Sequence, residues 1–189
     1  MITKQAVTAE QFYEMPEVPG TQLELVRGEV VAVPSPGAIH NLIVALLYRL
    51  IYTSVSEQRL GIVFGDNMGY VLSRGLDTVR IPDVSFVAWD RVPDAGIPEG
   101  SWQTPPNLAV EVVSPSDQTA DINDKAREYV ESGVSLVWIL WPKRRVVSIY
   151  TKDQMVRELG LDDELDGGDT LPGFSIRVNA LFDIPTKPE

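Results

Sequence analysis

The sequence predicts an α/β (α+β) domain, and three patterns predict it. The runs Leu108–Val113 and Val134–Trp141 are apolar at both alternating positions, which is how strands covered on both faces read. Between them Ile122, Ala126, Tyr129 and Val130 recur at helical spacing up to Gly133, a glycine suited to a helix C-cap. Upstream, Ile39, Ile43, Leu46, Leu47, Leu50 and Ile51 form a second and longer helical stripe, read as core.

The bulk composition sets the outer limits. A chain of 189 residues, 44% hydrophobic and 23% charged, buries enough surface for one globular domain, read as 1–189. Cysteine is absent, which removes disulfides, thiolate zinc sites and cysteine nucleophiles and fits a reducing compartment. Residues Met1 to Ala6 hold no apolar signal core, and Leu42 to Leu47 is far shorter than a bilayer span, so a cytoplasmic protein without a membrane is expected. The net charge of −11 argues against a nucleic-acid coat, because phosphate binding draws on Lys and Arg releasing counterions. It leaves room for a nuclease, which needs a local basic groove and acidic metal ligands.

Taken in order, Thr8-Ala9-Glu10-Gln11 matches a capping box and predicts a short helix through Met15. Gln22–Val26 and Glu29–Val33 read as a hairpin turning at Arg27-Gly28, with Glu24 inside an apolar strand. Strands are expected at Gly61–Phe64, Met68–Leu72 and Val79–Trp89, the last bulged, edge-like or regular only after Pro82, which has no N–H to donate. Residues 90–107 hold four prolines and two glycines, and such a loop reads as a mobile lid linking the strands of Asp83 and Glu111, with Trp102 able to stack on a base. Beyond Trp141, Pro142-Lys143-Arg144-Arg145 turns into Val146–Thr151, residues Gln154–Leu159 extend the hairpin series, and the tail from Gly167 to Phe174 reads as turns before a short Asn179–Phe182 segment.

Several chemistries are excluded by what is missing. There is no GxxxxGK[ST], GxGxxG, GxSxG or HExxH motif. With His40 the only histidine, histidine-rich metal centres are excluded too, and the ordinary reading of His40 is a packing or capping residue. The acids are more informative. Glu111 lies in an otherwise apolar strand, and a bare carboxylate there costs several kcal/mol, so a cation, a metal ion or a shifted pKa must accompany it. Asp83 after Pro82 reads as a strand-start residue or, beside Glu111 on a neighbouring strand end, as a second hard-oxygen ligand for Mg or Mn. Lys125 flanks the buried stripe one turn before Tyr129, and the alternative to a metal site is a buried Glu111–Lys125 ion pair. Glu24 reads equally as a third acid of the cluster or as the partner of an arginine. Asp121, one turn before Lys125, could pair with it and hold it in place. Lys143-Arg144-Arg145 reads as a solvated charge run in preference to a nucleic-acid patch.

A set of motifs then carries a resemblance. The order Leu23-Glu24-Leu25-Val26-x-Gly28-Glu29-Val30, Ser35-Pro36, His40, Pro82-Asp83-Val84, Val110-Glu111-Val112-x-Ser114-Pro115-Ser116, Asp121-x-x-x-Lys125-x-x-x-Tyr129 and Gly133-Val134 is similar to the Uma-type family of restriction-endonuclease-like proteins, within the PD-(D/E)XK nuclease superfamily. The resemblance includes the tail Leu171-Pro172-Gly173-Phe174. It implies a mixed central β-sheet flanked by helices, with Asp83 and Glu111 as Mg or Mn ligands and Glu24 near them. The superfamily's lysine two residues after Glu111 is Val113 here, and in the Uma-type family a lysine on the next helix, matching Lys125, stands in its place. The expected function is metal-dependent hydrolysis of DNA phosphodiester bonds, and the superfamily habit of cutting both strands implies a homodimer. The alternative is a silent nuclease-fold module that binds a nucleic acid or protein partner.

Overall fold

A computed structural model describes residues 6–16, 18–153 and 156–185. Helix α1 (Ala9–Tyr13) carries the predicted capping box, with Thr8 accepting from Gln11 N and the Gln11 side chain accepting from Thr8 N. Strands β1 (Gln22–Val26) and β2 (Glu29–Val33) form the N-terminal hairpin. Its turn residues Arg27 and Gly28 both have positive φ, as the preferred two-residue hairpin turn demands. Helix α2 (Ala38–Gln58) follows, then β3 (Gly61–Phe64), β4 (Tyr70–Ser73), β5 (Thr78–Arg80) and β6 (Val84–Ala88). The remaining elements are β7 (Leu108–Val112), α3 (Thr119–Ser132), β8 (Leu136–Trp141), β9 (Val146–Thr151), β10 (Val156–Leu159), β11 (Glu164–Gly167), β12 (Leu171–Arg177) and α4 (Val178–Leu181).

The strands make a six-stranded sheet in the order β10-β9-β8-β7-β6-β3, a four-stranded sheet β2-β1-β5-β4 and a β11–β12 hairpin. In the large sheet only the central pair β7–β8 is parallel, joined by α3 as the crossover. Helix α2 covers one face of this sheet, where Ile43, Leu47 and Ile51 pack with Val110, Val112 and Trp138. Helix α3 covers the other, where Ile122, Ala126 and Tyr129 pack with Ala109, Val137 and Ile139. Two covered faces are the reason β8 and, apart from Glu111, β7 are apolar; each fully buried Leu or Val contributes about 1.5–3 kcal/mol relative to exposure. Among the described residues α2 is the one helix long and apolar enough to cross a membrane, but its buried face is committed to the sheet, and Ile39, expected in the core, is 56% exposed.

Two expectations about connectivity are corrected. Val79 to Trp89 is not one strand: β5 belongs to the small sheet and β6 to the large one, and the chain crosses between them through Ile81-Pro82-Asp83. The proline, unable to extend a ladder, marks the crossing. The tail is not a string of turns, because β11 and β12 pair with a register shift at Asp166/Gly167 and pack Leu165, Leu171 and Phe174 into the α2-side core. The short segment after it is the helix α4. The opening residues 1–5, and Gln154 and Met155 where a strand was expected to begin, lie outside the described residues.

Candidate functional site

The crossing at Pro82 brings acids from both sheets to one place. Val84 of β6 pairs with Val110 of β7 in antiparallel register, so one step back and one step forward set Asp83 beside Glu111. Asp83 is anchored through one oxygen: its Oδ2 accepts the Val112 N–H at 2.7 Å and lies 3.2 Å from His40 Nε2. Glu111 is likewise held through one oxygen, Oε1, which accepts from Tyr129 Oη at 2.7 Å and lies 2.9 Å from Lys125 Nζ. Among the described residues no donor reaches Asp83 Oδ1 or Glu111 Oε2.

Glu24 is different because both of its oxygens are taken. Its Oε1 accepts the Ile81 N–H at 3.0 Å and lies 3.0 Å from Lys125 Nζ, while Oε2 accepts from Arg80 at 2.8 Å. Arg80 also donates to Glu128 Oε2 from Nε at 2.9 Å and from a terminal nitrogen at 2.5 Å. Both sequence readings of Glu24 are therefore realised: it is an arginine's partner and, through the shared Lys125, a third acid of the cluster, and it ties β1 to the Pro82 crossing. Arg80 and Glu128 were missed in the sequence. The available signals were the position of Arg80 directly before Ile81-Pro82 and the spacing of Glu128 three residues after Lys125, which puts the two on one side of α3.

Charge in this cluster does not balance. Of its four carboxylates, Glu24, Glu111 and Glu128 share two permanent cations, Lys125 and Arg80, while Asp83 has the His40 ring alone. Burial, with Asp83 and Glu24 adding to it and Lys125 opposing, pushes the Glu111 carboxyl up to about 7. Burial would also raise Glu24, but Lys125, Arg80 and the Ile81 N–H outweigh it and hold that carboxyl below its usual value. Lys125 is fixed as a cation: burial works against its charge, yet Glu111 and Glu24 raise its pKa above the ordinary lysine value. His40 is raised in the same way, burial opposing and Asp83 prevailing. Tyr129, buried beside Glu111, is kept protonated and so remains a donor.

The other residues singled out in the sequence fall outside the cluster. Asp121 is exposed and makes no ion pair with Lys125, which turns to Glu111 and Glu24 instead. The loop between β6 and β7 joins the ends of those strands opposite to Asp83 and Glu111, so it does not flank the site. It is also tied down: Arg91 donates to the carbonyls of Pro105, Pro106 and Gly133. Trp102 is 1% exposed, pairs through its backbone with Gly69 and Val71, and is a core residue instead of a base-stacking one. His40 is more than a packing residue, since its ring steadies Asp83.

Among the described residues no group of three or more His, Asp or Glu side chains gathers as a metal cage. An ion here would rely on Asp83 Oδ1 and Glu111 Oε2, with water or substrate oxygens completing its shell. Magnesium takes that kind of site readily, because it prefers one or two carboxylates and keeps its waters.

Comparisons with known proteins agree with this architecture. The family described as "Putative restriction endonuclease" (Uma2) matches residues 9–179. A crystal structure described as a putative nuclease belonging to DUF820, from Anabaena variabilis, is similar with a TM-score of 0.83 at 20% identity, covering 93% of this chain and 97% of that one. At that identity the likeness shows the fold, a mixed sheet flanked by helices. No curated protein matches the chain.

Proposed function

Since the chain belongs to the Uma2 family, described as "Putative restriction endonuclease", we propose that it is a metal-dependent endonuclease hydrolysing phosphodiester bonds in DNA. One observation supports the metal above all others. Asp83 and Glu111 each keep one oxygen without a protein donor among the described residues, inside a cluster where acids outnumber cations. A divalent ion bound there would lower the pKa of a water and stabilise charge on the scissile phosphate. The chain's own groups hold that arrangement. Tyr129 and Lys125 orient Glu111, while His40 and the Val112 N–H orient Asp83. Lys125 is the cation nearest the reacting atoms, able to orient the attacking water or offset charge on the phosphate. A homodimer acting in the cytoplasm would bring two such sites to one substrate.

The test is a manganese titration followed by thermal unfolding, alongside nicking of a supercoiled plasmid. The wild type should melt higher with metal, by about 2.7 kcal/mol at a hundred times the dissociation constant, and should nick the plasmid; Glu111→Ala should do neither. A second reading has an observation of its own, because Lys125 and Tyr129 already satisfy one oxygen of Glu111 without metal. That reading is a silent nuclease-fold module that binds a partner, and it requires no metal stabilisation and no cleavage by the wild type.

A further inference from the structure

Next to the carboxylates runs a groove of about 690 Å³ between the start of α2, the segment after β7 and the β8–β9 turn. It adjoins the site: His40, which holds Asp83, lines it, and so does Val113, the residue after Val112. Its size falls within the roughly 300–1,000 Å³ of clefts that enclose small ligands. The lining is of two kinds. Ile43, Val113, Trp141 and Phe182 make an apolar floor, and Lys143, Arg144 and Arg145 stand on the rim.

On a chain of net charge −11, three adjacent cations on one rim are a local reversal of sign. Arg144 is engaged with Glu158 at 2.8 Å and lies over the Trp141 ring. Lys143 and Arg145 are exposed and make no ion pair among the described residues. The one acid in the lining, Asp117, has an oxygen committed to the Ser114 N–H at 2.7 Å. The first residues of α2 and α3 lie in the same wall, and neither helix has a side-chain cap, so both present unsatisfied N–H groups and a positive dipole end. The His40 ring, 8% exposed, adds a buried Nδ1 with no partner among the described residues.

Building on the nuclease reading, we propose that this groove holds an unpaired strand of nucleic acid: its phosphates lie along Lys143 and Arg145, and a base sits on the apolar floor. A duplex offers its phosphates and base edges but no free base face, because its bases are stacked and paired. An apolar floor beside a cationic rim instead suits a strand whose base is free to leave the stack. The substrate class is therefore single-stranded nucleic acid, or a duplex with a frayed or flapped end.

Binding is read by fluorescence anisotropy in EDTA, using a labelled single-stranded oligothymidylate, a duplex of equal length and an oligomer of equal length made of abasic sites. The wild type should bind the single strand at least about tenfold more tightly than the duplex or the abasic oligomer, the scale expected for stacking one base. The double variant Lys143→Glu, Arg145→Glu, melting as the wild type does, should lose that affinity, and the salt slope should shrink by about 1.4 for two phosphate contacts on a single strand. Equal binding of all three probes, or oligothymidylate binding unchanged in the variant, overturns the proposal. EDTA separates this from catalysis: manganese-dependent cleavage by the wild type with no effect of the rim variant sinks the groove and leaves the nuclease reading intact.

Discussion

Lys125 Nζ lies 2.9 Å from Glu111 Oε1 although the two residues sit on successive elements. Alternation along β7 sends Val113 to the same face as Glu111, and that face is covered by α3. A cation can therefore reach Glu111 from the covering helix as well as from the strand. The same ammonium lies 3.0 Å from Glu24, so one cation joins the two sheets.

Glu111 should make stability fall with pH. Its carboxyl ionises near 4.5 in the unfolded chain and near 7 in the folded one, so between those values the native state holds the extra proton. The contribution is complete below about pH 4.5 and is lost as pH rises towards 7, an effect of about 3 kcal/mol. Glu111→Gln keeps the shape of the protonated form and removes the titration. In metal-free buffer the variant's melting temperature, relative to wild type, should be higher near pH 8 than near pH 5; equal differences at both would mean that Glu111 is an ordinary ion-paired carboxylate.

Arg80 should matter more than its place outside the motifs suggests. Arg80→Met strands Glu128 and leaves Oε2 of Glu24, which is 3% exposed, without a partner, only its Oε1 keeping Lys125 and the Ile81 N–H. Removing one member of a buried ion pair costs about 3–5 kcal/mol. Adding Glu24→Gln should recover a large part of the loss in urea unfolding. Strictly additive losses would show that the two residues do not act on each other.

How much of this could be read in the sequence depended on whether local pattern or tertiary pairing decided the outcome. The strands β7 and β8, the helices α2 and α3 and the β1–β2 hairpin each have a periodicity or turn signature of their own, and the sequence reading recovers them. Asp83, Glu111 and Lys125 stand out because charge in apolar company is rare. The split of Val79–Trp89 between two sheets is a matter of which partner strand is available, and Pro82 only hints at it. The β11–β12 hairpin is hidden because Gly167, Gly168, Pro172 and Gly173 give turn signals inside a paired region. Arg80 before Ile81-Pro82 and Glu128 three residues after Lys125 gain meaning only when β5 and α3 are brought together, and the Lys143–Arg145 run looks like any solvated turn until α2 is seen across the groove.

Trp102 should behave as a core residue. Trp102→Ala removes a side chain that is 1% exposed and packs on Phe64, a loss of about 3–5 kcal/mol. Its Nε1 is buried without a partner among the described residues, so Trp102→Phe should cost much less. Both outcomes are read by chemical denaturation. If either folded variant lost nucleic-acid affinity selectively, with stability unchanged, Trp102 would have to be returned to the binding surface.

Lys125→Met tests whether this lysine acts in the chemistry or only in the fold. The substitution keeps the length of the side chain and removes its charge. Glu24 retains Arg80 and the Ile81 N–H, and Glu111 retains Tyr129, so the cluster loses one cation without losing its shape. Two effects should then part. With Lys125 gone the main opposition to burial, Asp83 and Glu24 in raising Glu111 is lost and only the Tyr129 hydrogen bond is left to favour the charged form, so the metal-free protein should be less stable, and manganese should raise its melting temperature at least as much as it does in the wild type. Cleavage should fall by at least about a hundredfold at saturating manganese, the scale of losing one electrostatic contact to a transition state. A variant that binds manganese and cleaves at the wild-type rate would confine Lys125 to holding β1, β7 and α3 together, with the charge on the phosphate met by the metal alone.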